Sequence, residues 1–230
     1  MLEQNEARIY LAEKRGVTFG KTFKRLHTFN DEQYFEESRV PFGALKIFNE
    51  EVLAAGEHLT LTLKERTTLI LLPIIGGLAV SFEKSETEYV VAGQVVIFSG
   101  EAGDTYEIAN PYSEETISFL QIQLKEEGSK GRSFSINELN LEKKNQLISL
   151  NSNENYFFIG QYEGRAEGFY NLKNSKNGLF AFIIEGAFEV QNRLLESKDA
   201  LALWNFTVDS KVEFEALSSG AIILLAEIKI

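Results

Sequence analysis

Cysteine is absent from the 230 residues, and histidine occurs only as His27 and His58. No disulfide, thiolate metal site or thiol nucleophile can therefore be built, which fits a reducing compartment. Basic residues are in deficit, with 23 Lys and Arg against 34 Asp and Glu and a net charge of -11. Such a chain repels phosphate backbones and anionic headgroups, so neither nucleic acid nor a membrane is an expected partner. Long apolar runs are missing too. The longest uncharged stretch, Thr67 to Phe82, is broken by Pro73, Gly76 and Gly77 and is shorter than the roughly 20 residues that span a bilayer. The opening MLEQNEARIYLAEKRG is charged throughout, unlike a signal peptide, and the expected location is the cytoplasm. Nucleophile elbows, phosphate-cradling loops and dinucleotide turns are also lacking. With so many carboxylates, no particular glycosidase-type pair can be argued, and no catalytic residue is assigned.

What the chain does have is strand signal. From Ala44 onward, short apolar or alternating runs (ALKIF, HLTLTL, TTLILLPII, GLAVSF, YVVAGQVVIF, TISFLQIQL) are separated by Gly, Asn and charged turns. Spacing of roughly ten residues predicts a sandwich or barrel. The charged segment Lys125 to Lys130 then interrupts the pattern, and Ser133 to Leu150 reads as linker with short-helix character. A second strand series follows, from YFFIGQYEG to AIILLAEIKI. The turn at Gly76 in the first series matches that at Gly186 in the second. A repeat of about 110 residues predicts one β-barrel unit occurring twice, with domains at 1–125 and 126–230.

Local strings narrow the class. Lys14-Arg15-Gly16, Leu26-His27-Thr28-Phe29 and Phe42-Gly43-Ala44-Leu45-Lys46-Ile47-Phe48-Asn49 resemble the N-terminal signature of the pirin-like bicupin family. Asn110-Pro111 with Phe119-Leu120-Gln121-Ile122 is similar to the end of its first cupin. Ile184-Glu185-Gly186 and Ala200-Leu201-Ala202-Leu203-Trp204 resemble its second. The resemblance covers nearly the whole chain from about residue 14 and implies an all-β fold of two tandem cupin barrels, double-stranded jelly rolls.

In enzymes of that family, the first cupin holds a metal ion through a His-x-His pair, a later histidine and a glutamate two residues beyond it. Carried onto this chain without a gap, those positions fall on Thr62, Lys64, Tyr106 and Ile108. A hydroxyl, an ammonium, a phenol and a butyl group cannot replace three imidazoles and a carboxylate. No metal and no cofactor are therefore expected. In Leu59 to Lys64 the alternation places Thr60, Thr62 and Lys64 on one face, and the resemblance turns Thr62 and Lys64 into the barrel mouth. The candidate ligand site is Thr62, Lys64, Tyr106, Ile108 and Gln121, suited to a small anionic or phenolic molecule. The expected function is a non-catalytic pirin-like bicupin acting by small-molecule binding or contact with a protein partner. The alternatives are a metal-dependent oxygenase like quercetin 2,3-dioxygenase, and a metal-free enzyme using Lys64 or Tyr106 as acid or base.

Overall fold

The computed structural model describes residues 5–83, 85–128, 131–150, 157–206 and 210–230. Their regular structure is strand throughout, apart from one short helical turn at Ala12–Lys14. Two compact units divide the chain, Arg15–Leu139 and a second made of Asn140–Ile230 with the N-terminal stretch up to Lys14.

In the first unit the strands are β2 (Gly16–Phe19), β3 (Phe23–His27), β4 (Leu45–Leu53), β5 (His58–Thr62), β6 (Thr67–Ile75), β7 (Gly77–Phe82), β8 (Glu88–Val91), β9 (Gln94–Gly100), β10 (Thr105–Ala109), β11 (Ile117–Lys125) and β12 (Ser133–Glu138). The second holds β1 (Glu6–Tyr10), β13 (Ile148–Ser149), β14 (Phe157–Tyr162), β15 (Glu167–Asn171), β16 (Gly178–Glu185), β17 (Ala187–Val190), β18 (Arg193–Glu196), β19 (Ala200–Trp204), β20 (Lys211–Ala216) and β21 (Ala221–Ile228).

The repeat is visible in the topology. One unit has the sheet order β9-β6-β11-β4 and a second sheet β5-β10-β7-β8; the other has β19-β16-β21-β14 and β15-β20-β17-β18. Adding ten to each label of the first barrel yields the second, so both are the same antiparallel jelly roll. The equivalence extends to irregularities. β6 slips register against β11 between Ser118 and Phe119, and β16 slips against β21 between Ile183 and Glu185. Each slip precedes a glycine at φ +75°, Gly76 and Gly186. A Cβ on Gly76 would also meet Ile117 Cγ2 at 2.8 Å, so both the backbone angle and the space require glycine there.

Each barrel closes over side chains from both of its sheets. In the first, Leu69, Leu71 and Phe119 meet Leu78, Val80 and Ile108; in the second, Ile183, Leu201 and Leu225 meet Phe188, Val212 and Phe214. Burying such a side chain contributes about 1.5–3 kcal/mol. The alternation read from the sequence is the physical cause: residues two apart share a face, and that face is the core.

Two expectations near the junction are corrected. Ser133 to Glu138 is no helix but an edge strand pairing with β9, from Ser133 opposite Ser99 to Glu138 opposite Gln94. Its Phe134 and Ile136 alternate with polar residues at period two, and Ile136 packs on the first core. Consequently the compact units part after Leu139, not at residue 125, and β1 pairs with β19 in the C-terminal unit. Residues 129 and 130 of the expected linker lie outside the described residues.

Candidate functional site

The expected site residues divide between two faces of β5 and β10. Tyr106 lies opposite Leu61, and Thr62 opposite Thr105. Because Tyr106 is 2% exposed, its cross-strand partner Leu61 shares the inward face and Thr62 faces out, where it is exposed. Leu63 is buried in the first core. Lys64 is exposed and its ammonium pairs with Glu32. The expectation that Thr62 and Lys64 enter the barrel mouth is corrected: the leucines of this segment take the inward positions because the apolar face of an amphipathic strand is the one the core admits. Tyr106, Ile108 and Gln121, by contrast, are all buried inside the first barrel.

Tyr106 is the hub. Its phenol oxygen accepts hydrogen bonds from Gln121 Nε2 at 3.1 Å and Gln123 Nε2 at 3.2 Å. Burial pushes its pKa up, reinforced by the nearby Glu51 carboxylate, so the phenol keeps its proton at any physiological pH. Gln121 and Gln123 are two apart on β11 and share its inward face. Beside them on β4 stand Asn49, opposite Gln121, and Glu51, opposite Phe119. Next on β3 come His27, opposite Asn49, and Arg25, opposite Glu51. Three adjacent strands thus each present an inward pair of polar residues.

The wall is tightly bonded. Arg25 Nε donates to Glu51 Oε1 at 2.5 Å and Arg25 Nη1 to Gln33 Oε1 at 3.3 Å. His27 Nδ1 lies 2.7 Å from Asp31 Oδ2, its Nε2 lies 2.8 Å from Thr18 Oγ1, and its ring stacks on Tyr34. The segment Asp31 to Tyr34 is therefore anchored to the wall through His27 and Arg25. Burial raises the Glu51 pKa, against the pull of the Arg25 charge. Burial also opposes ionisation of Asp31, but its bonds with the His27 ring and the Gln33 N–H outweigh that and lower its pKa. Glu51 Oε2 and Gln121 Oε1 are buried and have no hydrogen-bond partner among the described residues.

The second barrel, built on the same topology, offers a direct comparison. Strand registers make Phe158 the counterpart of Asn49, Gly160 of Glu51 and Leu225 of Gln121, while Val212 stands for Tyr106 and Phe214 for Ile108. Two positions stay polar: Ser149, opposite Phe158 in the place of His27, and Glu227, in the place of Gln123. The Glu227 carboxylate accepts from Tyr170 Oη at 2.6 Å and from the backbone N–H groups of Lys173 and Asn174, a structural cap on a turn. Arg25, His27, Asn49, Glu51 and Gln123 were not singled out from sequence. The signal was present as polar pairs two apart in FKRLH, IFNEEVL and FLQIQL, at positions where the core face demands apolar residues.

Residues 136–228 match the family model of the quercetinase C-terminal cupin domain. A comparison with curated protein sequences finds no match. Among solved structures, the chain is similar to YhhW from Escherichia coli, with 18% identity, a TM-score of 0.86 and 97% of each chain covered. The bacterial pirin YhhW in complex with nickel(II) from the same organism gives 17% identity and a TM-score of 0.83, covering 97% of this chain and 99% of that one. A quercetin 2,3-dioxygenase from Acinetobacter baumannii gives 13% identity and a TM-score of 0.70, covering 97% and 79%. Twin jelly-roll barrels with a quercetinase-type cupin at the C-terminus define a bicupin. In fold, over both barrels, it is similar to the bacterial pirin YhhW.

Proposed function

We propose that this chain is a non-catalytic pirin-like bicupin that holds a small molecule against the polar wall of its first barrel, without a resident metal. The observation that carries the reading is the contrast between the barrels: one topology, with Glu227 capped by Tyr170 and a turn as the buried charged group of one interior, and the buried set Arg25, His27, Asn49, Glu51, Tyr106 and Gln121, with half-buried Gln123, in the other. Buried polar groups of this kind cost stability unless they are paired, so their concentration in one copy supports a binding role.

The donors present do not fit a redox ion. Leu61, Leu63 and Ile108 are hydrocarbon, Tyr106 is a neutral phenol, and no group of three or more His, Asp or Glu capable of holding a metal is found among the described residues. The quercetinase-like reading requires such a set. Of the two ligand chemistries expected from sequence, the phenolic one is favoured. Lys64, on which the anionic reading rested, is exposed and paired with Glu32, whereas the buried Glu51 Oε2 calls for a hydroxyl donor. The acid–base reading is disfavoured too, since a buried phenol with a raised pKa stays protonated, so it has no site to accept a proton and gives its own up less readily.

The test is a thermal-shift and calorimetric screen of small phenols and carboxylates, with elemental analysis after incubation with nickel(II) and iron(II). Phenolic hits that vanish in Gln121→Leu, with only trace metal retained, are expected. Near-stoichiometric metal bound in the first barrel, or the absence of any hit sensitive to Gln121, would overturn the proposal.

A further inference from the structure

Away from the polar wall, the first barrel carries a cleft of about 430 Å³ between the β7–β8 turn and the start of β12, lined by Phe82, Phe98, Phe134, Arg132, Glu86 and Glu88 among others. The volume is in the range of small-molecule sites. Its walls are rings. Phe82 stacks on Phe98 with centroids 4.1 Å apart, and Phe134 tilts against Phe82 at 5.3 Å. Phe82 and Phe98 are buried and form the back wall, whereas Phe134, opposite Phe98 in the β12–β9 ladder, keeps 43% of its surface exposed.

The charge at the rim decides what these rings can take. Arg132 is already committed: its Nε donates to Asp104 Oδ2 at 2.7 Å and its Nη2 to Oδ1 at 2.6 Å, a bidentate pair that neutralises the guanidinium. Glu83, held against Thr105, joins Glu86 and Glu88 on the rim. Counting Lys84 from the sequence, the segment from Glu83 to Glu88 carries three Glu and one Lys, a net charge of -2. An anion entering the cleft meets that field and finds the guanidinium taken. A neutral apolar molecule gains the rings but nothing from the rim. An organic cation gains both, because ring faces attract positive charge and the carboxylates add to it.

We propose that this cleft binds a small organic cation of the quaternary or aromatic ammonium class. Phe82 backs onto Tyr106, with centroids 6.1 Å apart, but the cleft shares no lining residue with the polar wall and stands whether or not that wall holds a ligand. The test is an amide NMR titration of the full chain with choline and with 3,3-dimethylbutanol, its uncharged isostere. Choline is expected to shift amides of the β7–β8 turn and of Arg132 to Phe134 saturably, with affinity about tenfold above that of the alcohol. Phe134→Leu, which keeps apolar bulk but removes the ring, should weaken choline about tenfold. Joint Glu86→Gln and Glu88→Gln should also weaken choline and flatten its salt dependence. Equal affinity for the two probes, wild-type binding by Phe134→Leu, or shifts confined to other surfaces would each overturn the assignment.

Discussion

Tyr106→Phe removes a single oxygen from the interior of the first barrel, and its cost can be worked out bond by bond. Gln121, 3% exposed, would lose the acceptor of its amide. Leaving a buried polar group unpaired costs about 1–3 kcal/mol. Turning the Gln121 amide over would let Oε1 accept the phenol proton instead, so the pairing with Tyr106 survives in either orientation and so does its loss. Gln123 is half-buried and regains part of its bond from water, which limits its share to about 1 kcal/mol. Relief of the buried hydroxyl offsets some of this, and a net loss of about 2 kcal/mol is expected. For the unit Arg15–Leu139, an unfolding entropy of about 0.26 kcal/mol/K converts this into a fall in Tm of about 8 °C. Urea unfolding should show a lower midpoint at unchanged slope. The decisive variant is the double substitution Tyr106→Phe with Gln121→Leu. Apolar groups on both sides leave nothing unpaired, so it should recover much of the loss, with a coupling of about 1–2 kcal/mol. A Tyr106→Phe protein as stable as its parent, or strictly additive losses in the double variant, would refute the hub.

Other perturbations separate wall from surface. Glu51→Leu alone strands the Arg25 guanidinium and should cost about 3–5 kcal/mol, whereas Arg25→Met with Glu51→Leu should come back close to the parent; chemical unfolding of the pair decides. Lys64→Ala removes an exposed ion pair with Glu32 and should move stability by less than about 0.5 kcal/mol, with a larger loss measured by calorimetry counting against the outward placement. On the second barrel, Glu167, Glu215 and Glu189 lie directly opposite one another on β15, β20 and β17. Glu189→Lys should therefore stabilise by about 0.5–1 kcal/mol at low salt, and a lower Tm would contradict it. Burial pushes the Tyr162 phenol up to about 12, above the value of about 10 in an unfolded chain. The folded state keeps this proton longer, so its contribution is complete below about pH 10 and is lost as pH rises through about 12. Urea midpoints across that window should fall for the parent and fall less for Tyr162→Phe.

The two barrels, their repeat and the glycine turns were legible because each rests on a local rule that tertiary context did not override: alternation for the strands, and a positive φ for Gly76 and Gly186. The site was half legible, for a reason of register. Counting back from Gly76 reached Thr62 and Lys64, and an ungapped count gives a position in the chain but not the face of the strand. Strand faces are decided by the partner across the ladder, and Tyr106 opposite Leu61 is a contact between residues 45 apart that no local pattern reveals. Tyr106 and Ile108 came from the same kind of ungapped count, taken from Asn110-Pro111, and that count landed on the inward face of β10. Glu51 was masked by its neighbour: Glu50-Glu51 reads as a solvated pair, yet consecutive residues of a strand face opposite ways. Glu50 is paired by Arg15 at 2.9 Å, while Glu51 is fully buried against Arg25. A doubled charge inside a β-run therefore carries information that a charged turn does not, since one of its members must point into the core and needs a partner there. Applied to FKRLH, the same rule splits Lys24 from Arg25 and puts one of the two charges on the inward face, where the ladder sets Arg25 against Glu51.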